Sequence, residues 1–384
     1  MVGQLQNTIE PTPSLPRGTE VAVTGASGFI GGRLAECLAE QGGVVTALLR
    51  AGSGPPGHSG IKPVELDLSD PEQVGAALEG IGIVFHCAYD WDDEAWNIAA
   101  MRAIIDGCRA NGVRRLVHAS SFVVYQSPTE GELTEQSPED TSETGYAYTK
   151  RQLERELLSA VCKNSLPATI LQPTIVYGPY SRPWTIDPAD MLRYGTVILP
   201  DHGEGICNAV YVDDVISAMI LAASCPEAVG ERFLVSGPDR ITWGEFYEEL
   251  ARAMAVSGPR YLPAAEIARE GSQTQKILRL AADPARAIRR VAQSEPGRRL
   301  VQTGLSLLPS VVRRSAEGWL SSPMTRWRRH MHLPNASQLE FLQSQVMISS
   351  EKARRILGYT PQFGFPAGMA PTSRFLSDVY QRLA

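Results

Sequence analysis

The stretch from Glu20 to Arg50, EVAVTGASGFIGGRLAECLAEQGGVVTALLR, decides the fold. Val21 to Thr24 is a short apolar run with β-branched residues, and Ile30, Leu34 and Leu38 then recur at helical spacing. Val44 to Leu49 is a second apolar run, so the order is strand, glycine turn, helix, strand. Gly25, Gly28 and Gly31 occupy the turn and the helix start. One glycine permits the tight turn, a second lets backbone approach a pyrophosphate, and a third lets the helix pack on the strand. Amides of the first helical turn then face the phosphates. A purely structural turn also uses glycine, but a triplet set between strand and helix points to a bound dinucleotide.

The alternation continues outward from that unit. Strands are expected at Pro63–Leu66, Ile83–Cys87, Arg115–Ala119 and 168–173, with helices near 71–79, 94–110 and 146–162. The fold class that follows is α/β, a doubly wound parallel-sheet Rossmann domain. After Pro173 the chain turns to Pro- and Gly-punctuated loops, with helices at 212–224 and 242–254. The expected division is a flexible arm over 1–18 and a dinucleotide-binding domain over 19–175 with a return segment near 208–236. A smaller, mostly helical C-terminal substrate domain takes 176–207 and 237–384.

With 384 residues, 43% hydrophobic and 20% charged, the chain suits one large or two modest globular domains, and disorder is excluded. A net charge of −6 gives no overall electrostatic case for nucleic acid. The six cysteines, at 37, 87, 108, 162, 207 and 225, form no C-x-x-C pair, so neither a metal site nor a disulfide framework is expected. A reducing cytoplasm fits that usage. The N-terminus does not read as a signal peptide, and no apolar run is long enough to predict a transmembrane helix.

Charge is segregated. Residues 256–345 carry 14 Lys/Arg against 6 Asp/Glu, or +8, which leaves −14 for the rest of a chain whose total is −6. Within this Arg-rich, mostly helical insert, Arg298-Arg299, an apolar stretch to Val312, Arg313-Arg314, Trp319 and Arg326-Trp327-Arg328-Arg329 pattern like an interfacial segment. Peripheral membrane contact through 298–329 is one reading. A helical lid, or an oligomer contact whose arginines pair with the acidic body, accounts for the same composition and is preferred. Cover for a hydrophobic substrate is a further reading.

Arg50 ends the second strand, where an acidic residue would grip the ribose 2′-hydroxyl of NAD. An arginine there suits the 2′-phosphate of NADP, so NADP is the expected cofactor and NAD the alternative. Asp67, after the third strand, is placed to meet the adenine edge. Tyr146 and Lys150 stand four apart on a predicted helix and so share one face, with Ser120 and Ser121 at the end of the preceding strand. A free tyrosine has a pKa near about 10. An adjacent ammonium is expected to lower it into a range useful for passing a proton to a substrate oxygen, while a serine hydroxyl orients that oxygen.

Together these residues resemble the extended short-chain dehydrogenase/reductases, the family of nucleotide-sugar epimerases and dehydratases, 3β-hydroxysteroid dehydrogenases and dihydroflavonol reductase-like enzymes. The resemblance spans about 20–255 and returns at 349–362. Thr24 to Gly31 resembles the family's cofactor loop, and Val84-Phe-His86-Cys-Ala88 its fourth strand. Asn97-Ile-Ala-Ala is similar to the helix start N-V-x-G-T, with Ala100 and Met101 in place of Gly-Thr. Ser121-Phe-Val-Val-Tyr125 fits S-x-x-V-Y, which implies Ser121 rather than Ser120 as the catalytic serine. Gln172-Pro173-Thr-Ile-Val176-Tyr177-Gly178-Pro179 resembles R-P-x-x-x-Y-G-P, Val210 to Val215 resembles V-x-V-x-D-V, and Ser349 to Pro361 the closing segment.

The resemblance implies Tyr146 as general acid/base, Lys150 as its modulator and ribose anchor, and Ser121 as the oxygen-orienting donor. It implies a cofactor site formed by Gly25, Ser27, Gly28, Phe29, Ile30, Gly31, Arg50, Asp67, Leu68, Cys87, Ala88, Pro173 and Val176, with Tyr146 and Lys150. Direct hydride transfer requires no metal. Relatives imply a homodimer through the helices near 95–110 and 146–162.

Two departures bear on the substrate. The segment between Cys87 and Asn97 is shorter than in nucleotide-sugar enzymes, and Cys207 stands where many of them place an arginine for the diphosphate. Both argue against UDP- or dTDP-sugars. Tyr89, Trp91, Val123, Tyr180 and Trp184, with Ser121, are the candidate pocket residues, and Trp96 is a further aromatic near them; ordinary packing is the competing reading of the aromatics. The expected function is an NADP-dependent oxidoreductase acting on a carbonyl or secondary alcohol of a medium-sized small-molecule metabolite. An epimerase or dehydratase with redox-neutral cofactor cycling, and a non-catalytic NADP-binding sensor, are the alternatives.

Overall fold

The computed structural model describes residues 13–53, 59–126, 128, 131–269 and 333–381. The expected N-terminal arm is therefore seen only from Pro13, and the Arg-rich pattern over 298–329 lies outside the described residues.

Seven strands build the main sheet: β1 (Glu20–Thr24), β2 (Val44–Leu49), β3 (Ile61–Glu65), β4 (Ile83–His86), β5 (Arg115–Ala119), β6 (Ala168–Pro173) and β7 (Arg232–Val235). They run in the order β7-β6-β5-β4-β1-β2-β3, every pair parallel. Helices are α1 (Phe29–Glu40), α2 (Pro71–Ala77), α3 (Glu94–Ala110), α4 (Gly145–Asn164), α5 (Asp187–Arg193), α6 (Val212–Ser224), α7 (Trp243–Met254), α8 (Ala336–Gln343), α9 (Glu351–Leu357) and α10 (Phe365–Gln381).

The central strands are mainly apolar because helices cover both faces, and β5, Arg-Leu-Val-His-Ala, is buried along its whole length. On one face α1 packs against α6; on the other α2, α3 and α4 follow one another. Met101 and Ile104 of α3, Leu153 and Leu157 of α4 and Val74 of α2 close over Ala22, Val84 and Leu116 in one core. Burying each such side chain contributes roughly 1.5–3 kcal/mol.

Strand order reverses between β1 and β4, which opens a crevice at the carboxyl edge. Register aligns Thr24 with His86 and His86 with His118. The Gly25 turn, Cys87-Ala88 and Ser120-Ser121 thus leave the sheet side by side.

The chain divides into two compact units, the first comprising the main sheet through Pro188, Ile206–Ile241 and the segment from Gln345 onward. Residues 176–188 and 345 onward, expected in the substrate domain, belong to this unit. Packing explains it: the buried Asp214 carboxylate on α6 accepts from the Gln362 and Phe363 amides at 2.7 and 3.2 Å, and the Tyr359 hydroxyl donates to the Ser236 carbonyl at 3.0 Å. The second unit, Ala189–Gly205 and Thr242–Ser344, contains the parallel pair Ile198–Pro200 and Arg260–Leu262. Capping boxes at Thr242/Glu245 and Asn335/Gln338 start α7 and α8.

All six cysteines are free thiols. Among the described residues, no helix is long and apolar enough to cross a membrane.

Candidate active site

The glycine turn is shaped by what a side chain would strike. Gly25 lies at φ +68°, and a Cβ there would stand 2.8 Å from the Ala88 amide nitrogen. At Gly31 a Cβ would fall 2.4 Å from the Gly25 carbonyl oxygen, so only glycine lets α1 start against its own turn. The Gly28 amide closes that turn on the Gly25 carbonyl at 2.9 Å. No side chain caps the start of α1, so its first amides face outward unclaimed by a cap. A cleft of about 980 Å³ opens here, lined by Gly25, Ser27, Gly28, Phe29, Ile30 and Gly31. A cradle that a Cβ would fill, above an uncapped helix start, fits the phosphates of a dinucleotide.

Arg50, Asp67 and Leu68 line the same cleft further out. Arg50 is not a loose strand-end charge: its Nη2 donates to Asp90 Oδ2 at 2.6 Å, and its guanidinium lies 5.0 Å from the Trp96 ring centroid. The Trp96 indole in turn donates to Asp67 Oδ1 at 3.0 Å. Hydrogen bonds from the Ser69 amide first, then from Trp96, hold the Asp67 carboxyl below its usual range. Asn97 pins the loop carrying Asp90, accepting from the Asp90 amide at 2.8 Å and donating to its carbonyl at 2.6 Å.

At the floor, Cys87 and Ala88 leave β4 and line the cleft. Their amides donate to Thr24 Oγ1, both at 3.1 Å, so the threonine proton goes to His86 Nδ1 at 2.8 Å. That makes His86 a neutral acceptor, and burial lowers its pKa to about 3. His118 stacks on it, ring centroids 5.2 Å apart.

Tyr146 and Lys150, on successive turns of α4, reach the inner end of the cleft. The Ser121 hydroxyl lies near that of Tyr146 and favours its ionised form. Lys150 is 4% exposed and its Nζ donates to the Ala119 carbonyl at 2.8 Å. The expectation that Lys150 pulls the Tyr146 hydroxyl down is not met. Burial pushes Tyr146 up to about 12, and the neighbouring Ser121 hydroxyl only partly offsets it. Burial also acts on the lysine, taking it down to about 8. Desolvation of both groups outweighs their attraction because the ammonium is turned toward the β5 carbonyl.

An aromatic wall stands over Tyr146. Trp91 stacks on it at 4.8 Å with rings 23° from parallel, and Tyr89 meets it edge-on at 5.1 Å. Both line the cleft, as does Tyr180, a φ +69° residue whose ring also lies 4.7 Å from Phe375. Ser121, Val123, Pro173, Val176 and Trp184 are not among the residues lining the cleft, whereas Ser120 is. Cys207 is fully buried. Asp90, Arg182 and Pro183 also line the cleft, although the sequence does not single them out. Asp90 has a local signal, a carboxylate among aromatics shortly after a strand end; the other two have none.

Residues 21–236 match the profile of the family described as NAD dependent epimerase/dehydratase. The chain is similar to a 2-alkyl-3-oxoalkanoate reductase of Stenotrophomonas maltophilia, 30% identical over 63% of this chain and 77% of that protein. It is also similar to the decarboxylating sterol-4-alpha-carboxylate 3-dehydrogenase of Mus musculus, 28% identical over 67% of this chain and 75% of that protein. Among solved structures, an epimerase from Methanothermobacter thermautotrophicus superposes with a TM-score of 0.67 at 18% identity, over 96% of this chain and 94% of that one. A UDP-glucose 4-epimerase of Thermotoga maritima, solved with UDP-glucose, gives 0.66 at 18%, over 94% and 100%. These two establish the shared fold.

Proposed function

This chain belongs to the NAD dependent epimerase/dehydratase family of NAD(P)-dependent enzymes, and from that premise we propose that it is an NADP-dependent oxidoreductase. Its substrate on this reading is a carbonyl or secondary alcohol on a medium-sized, largely apolar metabolite. The observation that carries the reading is one cleft with Arg50 at its outer end and Tyr146 beside Lys150 at its inner end.

Gly25 to Gly31 would hold the diphosphate, Arg50 the 2′-phosphate, and Asp67 with Leu68 the adenine side. Cys87 and Ala88 would border the nicotinamide half. When bound, the nicotinamide supplies or takes up the hydride. Tyr146 passes the proton at the substrate oxygen, Ser121 orients that oxygen, and the Lys150 ammonium offsets charge left on the phenol. Burial keeps Tyr146 protonated at neutral pH, the form a reduction requires.

Tyr89 and Trp91 offer an aromatic wall, their rings set edge to face, and Cys207 supplies no cation for a sugar diphosphate. The names of two relatives join a 3-oxygenated carbon to a neighbouring carboxylate on an apolar skeleton, so 3-oxo acids head the substrate panel. The test is fluorescence titration with NADPH and NADH, then a panel of 2-alkyl-3-oxo acids, 3-ketosteroids and UDP-glucose, in native protein and Tyr146→Phe. Net NADPH consumption on a ketone, lost in Tyr146→Phe, is expected. Redox-neutral turnover of UDP-glucose, or NADH binding as tightly as NADPH, would overturn it.

A further inference from the structure

Two successive residues at the end of β5 each hold one turn of α4. The Ala119 carbonyl accepts from Lys150, and Ser120 Oγ donates to Glu154 Oε1 at 2.5 Å, while Ser121 follows beside Tyr146. Tyr146, Lys150 and Glu154 follow at four-residue steps on one helix face. Glu154 takes no part in the proton chemistry above, yet its side chain is only 3% exposed.

A buried carboxylate is costly unless paired and hydrogen bonded. Gln172 Nε2 donates to its two oxygens at 2.9 and 3.2 Å, and Arg232 Nη1 stands 3.6 Å from Oε2. The Tyr125 hydroxyl donates to Gln172 Oε1 at 3.0 Å, which turns the amide NH2 toward Glu154. Burial raises the Glu154 carboxyl above its usual range, and the hydrogen bonds from Ser120 and Gln172 with the Arg232 charge act against that rise and favour the anion.

We propose that Glu154 is a positioning residue for the Tyr146–Lys150 pair, a buried anion that keeps Lys150 an ammonium and clasps α4 to β5 in the register the pair needs. The inference rests on the function proposed above. The groups facing Lys150 are His86 and Cys87 of β4, Tyr89 just beyond it, His118 of β5, and Tyr146 and Glu154 of α4. Both histidines are held neutral, and burial raises the Cys87 thiol to about 12, so it too is uncharged at neutral pH. Glu154 is the anion left in this set.

The chain has five lysines, so NMR of protein labelled at the lysine side-chain carbon isolates Lys150, assigned through Lys150→Arg. Native Lys150 is expected to titrate near 8. Glu154→Gln keeps shape but removes charge and should move that titration down by about one unit. Arg232→Gln, which leaves Glu154 less neutralised, should move it up. A folded Glu154→Gln with an unmoved Lys150 titration overturns the proposal; if that variant does not fold, a fall or no change in Arg232→Gln does so. No turnover is involved, so Tyr146→Phe retaining activity would refute the proposed function while leaving this result to stand or fall alone.

Discussion

Replacing Arg50 by serine removes the group on which the choice of NADP rests. A charge-assisted hydrogen bond to a phosphate is worth roughly 1.5–3 kcal/mol net. The Arg50 side chain is 61% exposed, so solvent screening pulls the figure toward the lower end. Its existing pair with Asp90, 2.6 Å apart, is of the exposed kind worth roughly 0–1 kcal/mol and must loosen as the phosphate arrives. The net is roughly 1–2 kcal/mol, or about a 5- to 30-fold weaker NADPH affinity. NADH has no 2′-phosphate and should be unaffected. The assay is fluorescence titration of both cofactors at low and physiological salt, with the difference between them shrinking as salt rises. Asp90→Asn should act in the opposite sense, tightening NADPH alone, since its amide oxygen still accepts from the Asp92 and Asp93 amides. Equal weakening of both cofactors by Arg50→Ser would refute the reasoning.

Gly31→Ala places a methyl 2.4 Å from the Gly25 carbonyl oxygen, and overpacking of this kind costs roughly 1–3 kcal/mol; a lowered Tm with lost NADPH binding is expected, and an unchanged Tm would contradict it. Turnover should fall as pH rises through about 8, because Lys150 works as an ammonium. Its contribution to stability has the opposite sign: the unfolded value of 10.5 exceeds the folded one, so the unfolded chain holds more protons between about 8 and 10.5 and stability rises with pH there. Unfolding of native protein and Lys150→Met across that window checks this, the variant lacking the rise. Trp91→Ala, at a residue 70% exposed, should change stability by less than roughly 0.5 kcal/mol yet raise KM for apolar ketones; an unaltered KM would remove Trp91 from the substrate wall.

The fold was legible because its signals are local. Mainly apolar runs mark strands covered on both faces, and glycine at 25 and 31 reports backbone approaches that no other residue allows. Tyr146 and Lys150 were legible for the same reason, since four-residue spacing puts them on one helix face. What surrounds them was not. Ser120, Glu154, Gln172 and Arg232 come from β5, α4, β6 and β7, and nothing near Glu154 in sequence marks a carboxylate that tertiary packing will bury. The titration of Tyr146 was misjudged because proximity to a cation is readable from spacing, whereas loss of water is a property of the whole enclosure. That residues 345 onward pack in the unit of the main sheet is not readable locally, because the amides that Asp214 collects lie about 150 positions further along the chain.

The clasp between β5 and α4 separates two properties that enzymes often entangle. Tyr146, the proposed acid, and its supports hang on a central strand and a long helix, whereas Tyr89, Trp91 and Tyr180 ride on connecting segments that line the cleft. Diversifying the mouth segments alone should therefore yield catalysts with altered molecular preference but an inherited proton donor, which makes this scaffold a starting point for retargeting by loop exchange.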